Sequence, residues 1–381
     1  MSCFFGTVGV IMVFMPRWLE AERGLDGAQI GAVLSLAQAA RVITGPAIAF
    51  WADGAADRRT PMRVVAFAAL AAYCAFFFLA HDFWSLLVLG FIALSLSQAI
   101  TPLVEAATLR ATAHGKFRYG NARALGSVSF IIANIAGGVL ISRFGLGAVV
   151  AWVLCGFALT AASTWFALQP DPPSLIAKQA QCRAARLSAI GQLLKNRRVL
   201  ILIVACGLIQ SAHAFYYSFS TLIWRKQGIP PEIVGLLWGF GVAVEVVFLW
   251  SLAPIERRVS PEAMILVGAA GGVVRWLLMG LAPGGVALWP LQILHTLSFA
   301  AVHVGAMRLL FRETPEASAA MGQTLYAAMS AGLLMGAVTL LSGVLYEHVG
   351  ARGYWAMAGL TLAGGALALL LLAPSPRHPR R

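Results

Sequence analysis

The feature that most constrains this chain is the recurrence, from one end to the other, of uncharged apolar runs as long as a bilayer is thick. A hydrocarbon core of about 30 Å requires about 20 apolar residues in a helix. Such runs fall at 2–15, 30–51, 62–80, 83–109, 125–141, 146–168, 199–224, 233–253, 263–281, 286–310, 321–345 and 354–373. Lipid offers no partner to backbone N–H and C=O groups, so each run is read as a helix that bonds its own backbone. Composition supports this: 60% of the 381 residues are hydrophobic and 11% charged, against about 25% charged in a soluble domain. The expected fold is an all-α membrane protein of twelve transmembrane helices. The first run is short for a span, but it lacks the basic start and small-residue cleavage site of a signal peptide. It is read as helix 1.

A net charge of +13 and a pI near 10.2 invite a nucleic-acid reading. The placement of the charges argues against it. Arg58, Arg59, Arg63, Arg110, Lys116, Arg118, Arg123, Lys178, Arg183, Arg186, Lys195, Arg197, Arg198, Arg257, Arg258, Arg308, Arg312, Arg377, Arg380 and Arg381 fall on one side of the predicted bundle. The other side has Arg17, Arg23, Arg143, Arg225, Lys226 and Arg352. Basic loops stay cytoplasmic, which predicts a multi-pass protein of a bacterial inner membrane with both termini cytoplasmic and no nucleic-acid partner. Cys3, Cys74, Cys155, Cys182 and Cys206 show no paired spacing, so neither zinc nor a disulfide framework is expected. Trp18, Trp84, Trp224 and Trp289, near segment ends, are read as interfacial anchors.

The one long polar stretch, 169–198, carries Pro170, Pro172, Pro173 and six basic residues. It predicts a cytoplasmic linker between an N-terminal six-helix bundle (1–168) and a C-terminal one with a short tail (199–381). The halves echo each other. Gly24-Leu25-Asp26-Gly27-Ala28-Gln29-Ile30-Gly31 introduces helix 2, and Gly228-Ile229-Pro230-Pro231-Glu232-Ile233-Val234-Gly235 introduces helix 8. At this offset Arg41 falls opposite Glu245. Carriers built from repeats bind solute between the halves near mid-membrane.

Ionisable groups at that depth cost at least about 2.5–3.5 kcal/mol each and mark a cavity or a partner. Arg41 lies midway along helix 2, Glu245 midway along helix 8 and Arg275 in helix 9, while Glu105 and Arg123 sit near the ends of helices 4 and 5. Gln210, His213 and Tyr217 form one stripe on helix 7, and Gln292, His295, Phe299 and His303 another on helix 10. Trp238 shares a face with Glu245. These groups are expected to line a central cavity that binds solute. The plain structural alternatives are histidines that bond a neighbouring helix, a static Glu245–Arg275 ion pair, and Glu105–Arg123 serving gating or packing. Burial raises a carboxyl pKa and a nearby arginine lowers it, so a Glu–Arg distance that changes between conformations couples protons to transport. Glu245 with Arg275 is the expected coupling pair, with His295 as relay or solute contact.

The chain resembles the major facilitator superfamily, most closely the branch with the 3-phenylpropionate permease and more distantly the lactose permease. The resemblance rests on Gln210-Ser211-Ala212-His213-Ala214-Phe215-Tyr216-Tyr217, Gly272-Val273-Val274-Arg275-Trp276, Gln292-Ile293-Leu294-His295 through His303 to Arg308, and Tyr119 to Ser127. It implies two six-helix bundles, proton coupling through Glu245, Arg275 and His295, and a solute-binding Glu105–Arg123 pair. Two departures stand out. Ser298 occupies the position of the lactose permease's second glutamate, and only Asp53 and Arg58-Arg59 remain of the loop signature between helices 2 and 3.

The expected function is proton-coupled symport of a small organic solute such as an aromatic carboxylate, by a monomer that needs no cofactor or metal. Arg41 or Arg275 would contact the anion, with Trp238, Tyr217 and Phe299 around the ring. A sugar or nucleoside symporter and an efflux antiporter are the alternatives. No His-Glu-x-x-His pair, Gly-x-Ser-x-Gly elbow or phosphate loop supports an enzyme.

Overall fold

Each apolar run folds as a helix because nothing else satisfies its backbone in lipid. The computed structural model describes residues 1–55, 57, 59–113, 119–166, 193, 195–314 and 319–373. Ten spans are α1 (Ser2–Arg23), α2 (Gly27–Ala52), α3 (Arg59–Phe78), α4 (Phe83–Leu109), α5 (Gly120–Phe144), α6 (Gly147–Phe166), α7 (Arg197–Lys226), α8 (Pro231–Trp250), α9 (Pro261–Gly280) and α10 (Gly285–Glu313). An eleventh apolar stretch, Met321–Leu372, folds back on itself. It holds α11, which ends with Met335–Val349, and α12 (Gly353–Leu369). Most of the predicted linker, with Arg58, Lys116, Arg118 and Cys182, lies outside the described residues.

Helix 1 is longer than expected. It continues through Pro16 to Arg23, a full span of 22 residues, and ends on Gly24 in the left-handed conformation. A proline removes one backbone donor and bends a helix, but apolar packing of Trp18 and Leu19 carries this one past it. Trp18 and Trp224 are core residues rather than interfacial anchors. They are 3% and 1% exposed, with Trp18 packed on Phe76 and Phe77 and Trp224 edge-on to Tyr216. Trp84, 70% exposed, keeps the anchor position.

Helices α1–α6 pack among themselves, as do α7–α12, and the two groups meet where α2 lies along α11, α5 along α8, and α1 along the end of α7. These seams are tightest at the end of the bundle away from Met1, here the far end. A Cβ on Gly31 of α2 would lie 2.8 Å from the Gly343 Cα of α11, and one on Gly235 of α8 would collide with the Asn134 carbonyl of α5. Only glycine lets these backbones approach so closely. The two glycines hold equivalent places in the echoing sequence stretches.

Polar contacts fasten the same end. Glu20 pairs with Arg225 at 3.6 Å, and the Glu347 carboxylate accepts from the Gly27 N–H at 2.8 Å, capping α2 from the other half. At the near end Phe50, Leu125 and Val247 are exposed. There an ionic cluster ties the second half to itself. Arg198 reaches Glu313 at 3.2 Å and Glu262 at 3.8 Å, and Arg312 bonds Glu262. The close seams and the polar contacts between the halves thus gather at the far end.

Candidate functional site

Helix geometry decides which side of α2 meets the gap. Ala39 and Val42 touch α11, Val33 touches Gly90 of α4, and Leu36, Ile43 and Phe50 are exposed on the outer surface. At 100° per residue, the remaining face carries Leu34, Gln38, Arg41 and Gly45. Space around Gly45 is open, with no atom within 4 Å of a Cβ built there. Arg41 is half-buried, and no carboxylate among the described residues pairs with it.

The second half treats its arginine differently. Arg275 is 0% exposed. Its Nε donates to the Leu291 carbonyl at 2.9 Å, Nη1 to His295 Nδ1 at 3.1 Å, and Nη2 to Gln292 Oε1 at 3.4 Å. The guanidinium also lies 4.5 Å from the ring centroids of both Tyr216 and Trp276. Arginine only donates, so His295 Nδ1 must be the unprotonated nitrogen. His213 Nδ1 faces the Gln210 carbonyl at 3.1 Å and therefore carries the proton, while its Nε2 lies 3.1 Å from the Ser298 hydroxyl. With one proton on each imidazole, the single Ser298 hydrogen is shared between His213 Nε2 and the His295 carbonyl, 3.2 Å away.

The predicted Glu245–Arg275 ion pair is absent among the described residues. Arg275 is held within its own half by three hydrogen bonds and two ring contacts, while Glu245, half-buried on α8, stands within the electrostatic reach of Arg123. Arg123 is itself 3.6 Å from Glu105. The offset argument that set Arg41 against Glu245 does not produce a contact either. Arg275 is shielded from any solute in the gap, so of the two arginines expected to meet an anion, Arg41 alone faces it.

The two stripes face each other. Gln210 Nε2 donates to the Phe299 carbonyl at 3.0 Å, and His213 reaches Ser298. Gln292 is 0% exposed, His213 0%, Gln210 6% and Trp238 4%, so these four are buried inside the second half. Tyr217 and Phe299 are half-buried and His303 is exposed. A π-helical turn, Leu297–Ala301, interrupts α10. Residues four apart drift by about 40° per step on an α-helix. The wide turn absorbs that drift, and His295, Phe299 and His303 stack in a ladder with centroids 5.4 and 6.5 Å apart. The ladder leads from the buried centre towards the near end.

Sequence reasoning missed Tyr216, which is 2% exposed. Its hydroxyl donates to Gln292 Oε1 at 2.8 Å, and its ring stacks on Trp238 at 4.6 Å. It lies beside the α7 stripe rather than on it, so periodicity gave no signal. A groove of about 760 Å³ on the flank of α1, α5 and α6, past Cys3, Thr7, Trp152 and Cys155, contains none of the predicted site residues. No group of three or more His, Cys, Asp or Glu side chains among the described residues could hold a metal.

This arrangement, two helical groups closed at one end around buried ionisable side chains, is that of a carrier, and the sequence comparisons agree. The MFS_1 like family matches residues 3–357. The chain belongs to that family. It is 30% identical to a probable 3-phenylpropionic acid transporter of Escherichia coli (strain K12) over 94% of this chain and 93% of that protein. It is 25% identical to a maltose permease of Geobacillus stearothermophilus over 98% and 93%. A mutant of the nucleoside transporter NupG superposes with a TM-score of 0.85 at 16% identity, covering 97% of each chain, and shares the fold. The chain is a multi-pass membrane transporter of the major facilitator superfamily.

Proposed function

We propose that this transporter is a proton-coupled importer of a small aromatic monocarboxylate, standing in the bacterial inner membrane with its near end and both termini cytoplasmic. The observation that carries the reading is Arg41: a mid-membrane cation that faces the gap with no acidic partner among the described residues. Such a charge is tolerated where an anion or water reaches it. Opposite it, Tyr217 and Phe299 offer half-exposed aromatic faces and His303 a polar group, with Trp238, Gln210, His213 and Gln292 as the supporting wall. The similarity to a probable 3-phenylpropionic acid transporter supports the same solute class. Basic residues crowd the near end, which supports its cytoplasmic placement.

Glu245 is the proton carrier in this scheme. It has no bonded partner to hold it in one protonation state, and Arg123 is near enough to favour ionisation when the two approach. Arg123 is shared with Glu105, so a rocking motion that lengthens one distance while shortening the other moves a proton on or off. His295, bonded to Arg275, orients the centre. The residues 1–168 and 199–381 act as the two rocking bodies, in a monomer.

Uptake into proteoliposomes with and without an imposed pH gradient tests the scheme. Glu245→Gln should abolish uphill accumulation of aromatic acids while solute exchange continues, and undiminished accumulation would overturn the assignment. A second reading, a sugar symporter, is favoured by the Glu105–Arg123 pair and by the similarity to a maltose permease. Competition by neutral sugars but not by aromatic acids would select it.

A further inference from the structure

We propose that Arg225, with Arg17 and Lys226 beside it, is an outer subsite for the carboxylate of an incoming solute, and that Glu20 is the resident carboxylate the solute displaces. The inference rests on the reading of the solute as an anion and of the far end as the outer one.

The far side is poor in basic residues, yet Arg17, Arg225 and Lys226 gather there at the joint between the halves. Glu20 Oε2 lies 3.6 Å from Arg225 Nη1, and the Tyr346 hydroxyl donates to Glu20 Oε1 at 3.4 Å. Lys226 Nζ stands 4.6 Å from the centroid of the Tyr346 ring. Arg17, one turn before Glu20 on α1, is within the electrostatic reach of both Arg225 and Glu20. Its Nε is sealed from water without a bonded partner among the described residues. Arg23, by contrast, donates to the Phe77 carbonyl, and Asp26 and Glu347 are engaged in capping α2.

Glu20 holds Arg225 loosely. At 3.6 Å their contact is an ion pair beyond hydrogen-bond length, whereas a guanidinium and a carboxylate at their best make two parallel bonds. The Arg225 side chain is 48% exposed and that of Glu20 25%, so the fork is open to a solute arriving from water. There is room beside it: a Cβ built on Gly24 or Gly228, which follow α1 and α7, meets no atom within 4 Å. Half-exposed pairs are weak, and a solute carboxylate offers Arg225 the same charge as Glu20 without being tied to α1. Arg17 and Lys226 add attraction for an arriving anion. Glu20 and Arg225 belong to opposite halves. Arg225 is taken while the two touch and vacant once they part, so an anion binds better to the parted state and favours it by that difference. Glu20 then falls to Arg17, its neighbour three residues back on the same helix.

The test measures binding of 3-phenylpropionate by saturation-transfer NMR to full-length protein in lipid nanodiscs, in an Arg41→Ala background that removes the central anion contact. Glu20→Gln should tighten binding about fivefold, because the competing carboxylate and its repulsion are both gone. Adding Arg225→Gln should cancel that gain, and the neutral 3-phenylpropionamide should show none. An unmoved affinity in folded Glu20→Gln would overturn the proposal. So would a gain that survives Arg225→Gln, or one that the amide shares, the mark of a loosened seam rather than a carboxylate site. Should Glu20→Gln fail to fold, Arg17→Gln with Lys226→Gln decides: binding of the acid about threefold weaker supports the subsite, and unchanged binding overturns it. Wild-type protein that accumulates no aromatic acid in proteoliposomes fails the transport reading instead, a result separate from these affinities.

Discussion

The two walls of the central gap each carry a mid-membrane arginine, and they handle it in opposite ways. In the second half, Arg275 is enclosed by a carbonyl, an imidazole, a carboxamide and two rings, with no surface left to meet a solute. In the first half, Arg41 stands on the gap-facing side of α2 without an acidic partner among the described residues. A buried charge enclosed by partners of its own half serves the architecture, whereas one left without an acidic partner at a cavity awaits a ligand. The comparison teaches that charge at mid-membrane depth marks the site but does not assign the role; the donor and acceptor inventory around each charge does that.

The largest effect that sharpens this contrast is expected from Arg275→Ala. It removes the donor to His295 Nδ1 and leaves a cavity at a fully buried position, and an unsatisfied buried group costs about 1–3 kcal/mol. The detergent-solubilised protein should melt far below wild type or fail to accumulate, and an unchanged Tm would erase the distinction between the walls. Arg41→Ala should leave the Tm unaltered yet weaken binding of a carboxylate solute about tenfold or more, since a hydrogen bond to a charged group contributes about 1.5–3 kcal/mol. Equal losses for an aromatic acid and its neutral amide, measured by solute binding, would break the anchor assignment.

A smaller change should follow from Glu105→Gln. The Glu105–Arg123 pair is 25% and 47% exposed at 3.6 Å, and exposed pairs contribute about 0.2–1 kcal/mol. Its effect on stability should be slight and shrink further at high salt, when thermal melts are compared across ionic strength. A large, salt-independent loss would move this pair from the solute side of the comparison to the architectural side.

Helix number and class were legible because lipid imposes one solution on an apolar run. Helix ends were less so: α1 passed Pro16 because Trp18 and Leu19 find a core, and no local rule encodes a distant core. The site was legible as a set of depths. Arg41, Glu245, Arg275 and the two polar stripes stand out as ionisable or polar groups where none is cheap. Their pairing was not. A Glu and an Arg on neighbouring helices suggested a pair, yet Arg275 found five partners nearer by, and Tyr216 escaped notice because it lies off the stripe periodicity.

The sequence by itself determined that this chain spans a membrane many times, which depths carry charge, and which end is rich in basic residues, because these follow from composition along one dimension. Only the tertiary structure decided that the far end is closed by glycine-lined seams, that a π-helical turn aligns three rings of α10, and that Arg275 is sealed while Arg41 is not. Those outcomes depend on which faces of different helices meet, a matter of packing and hydrogen-bond valence that no single stretch of sequence contains.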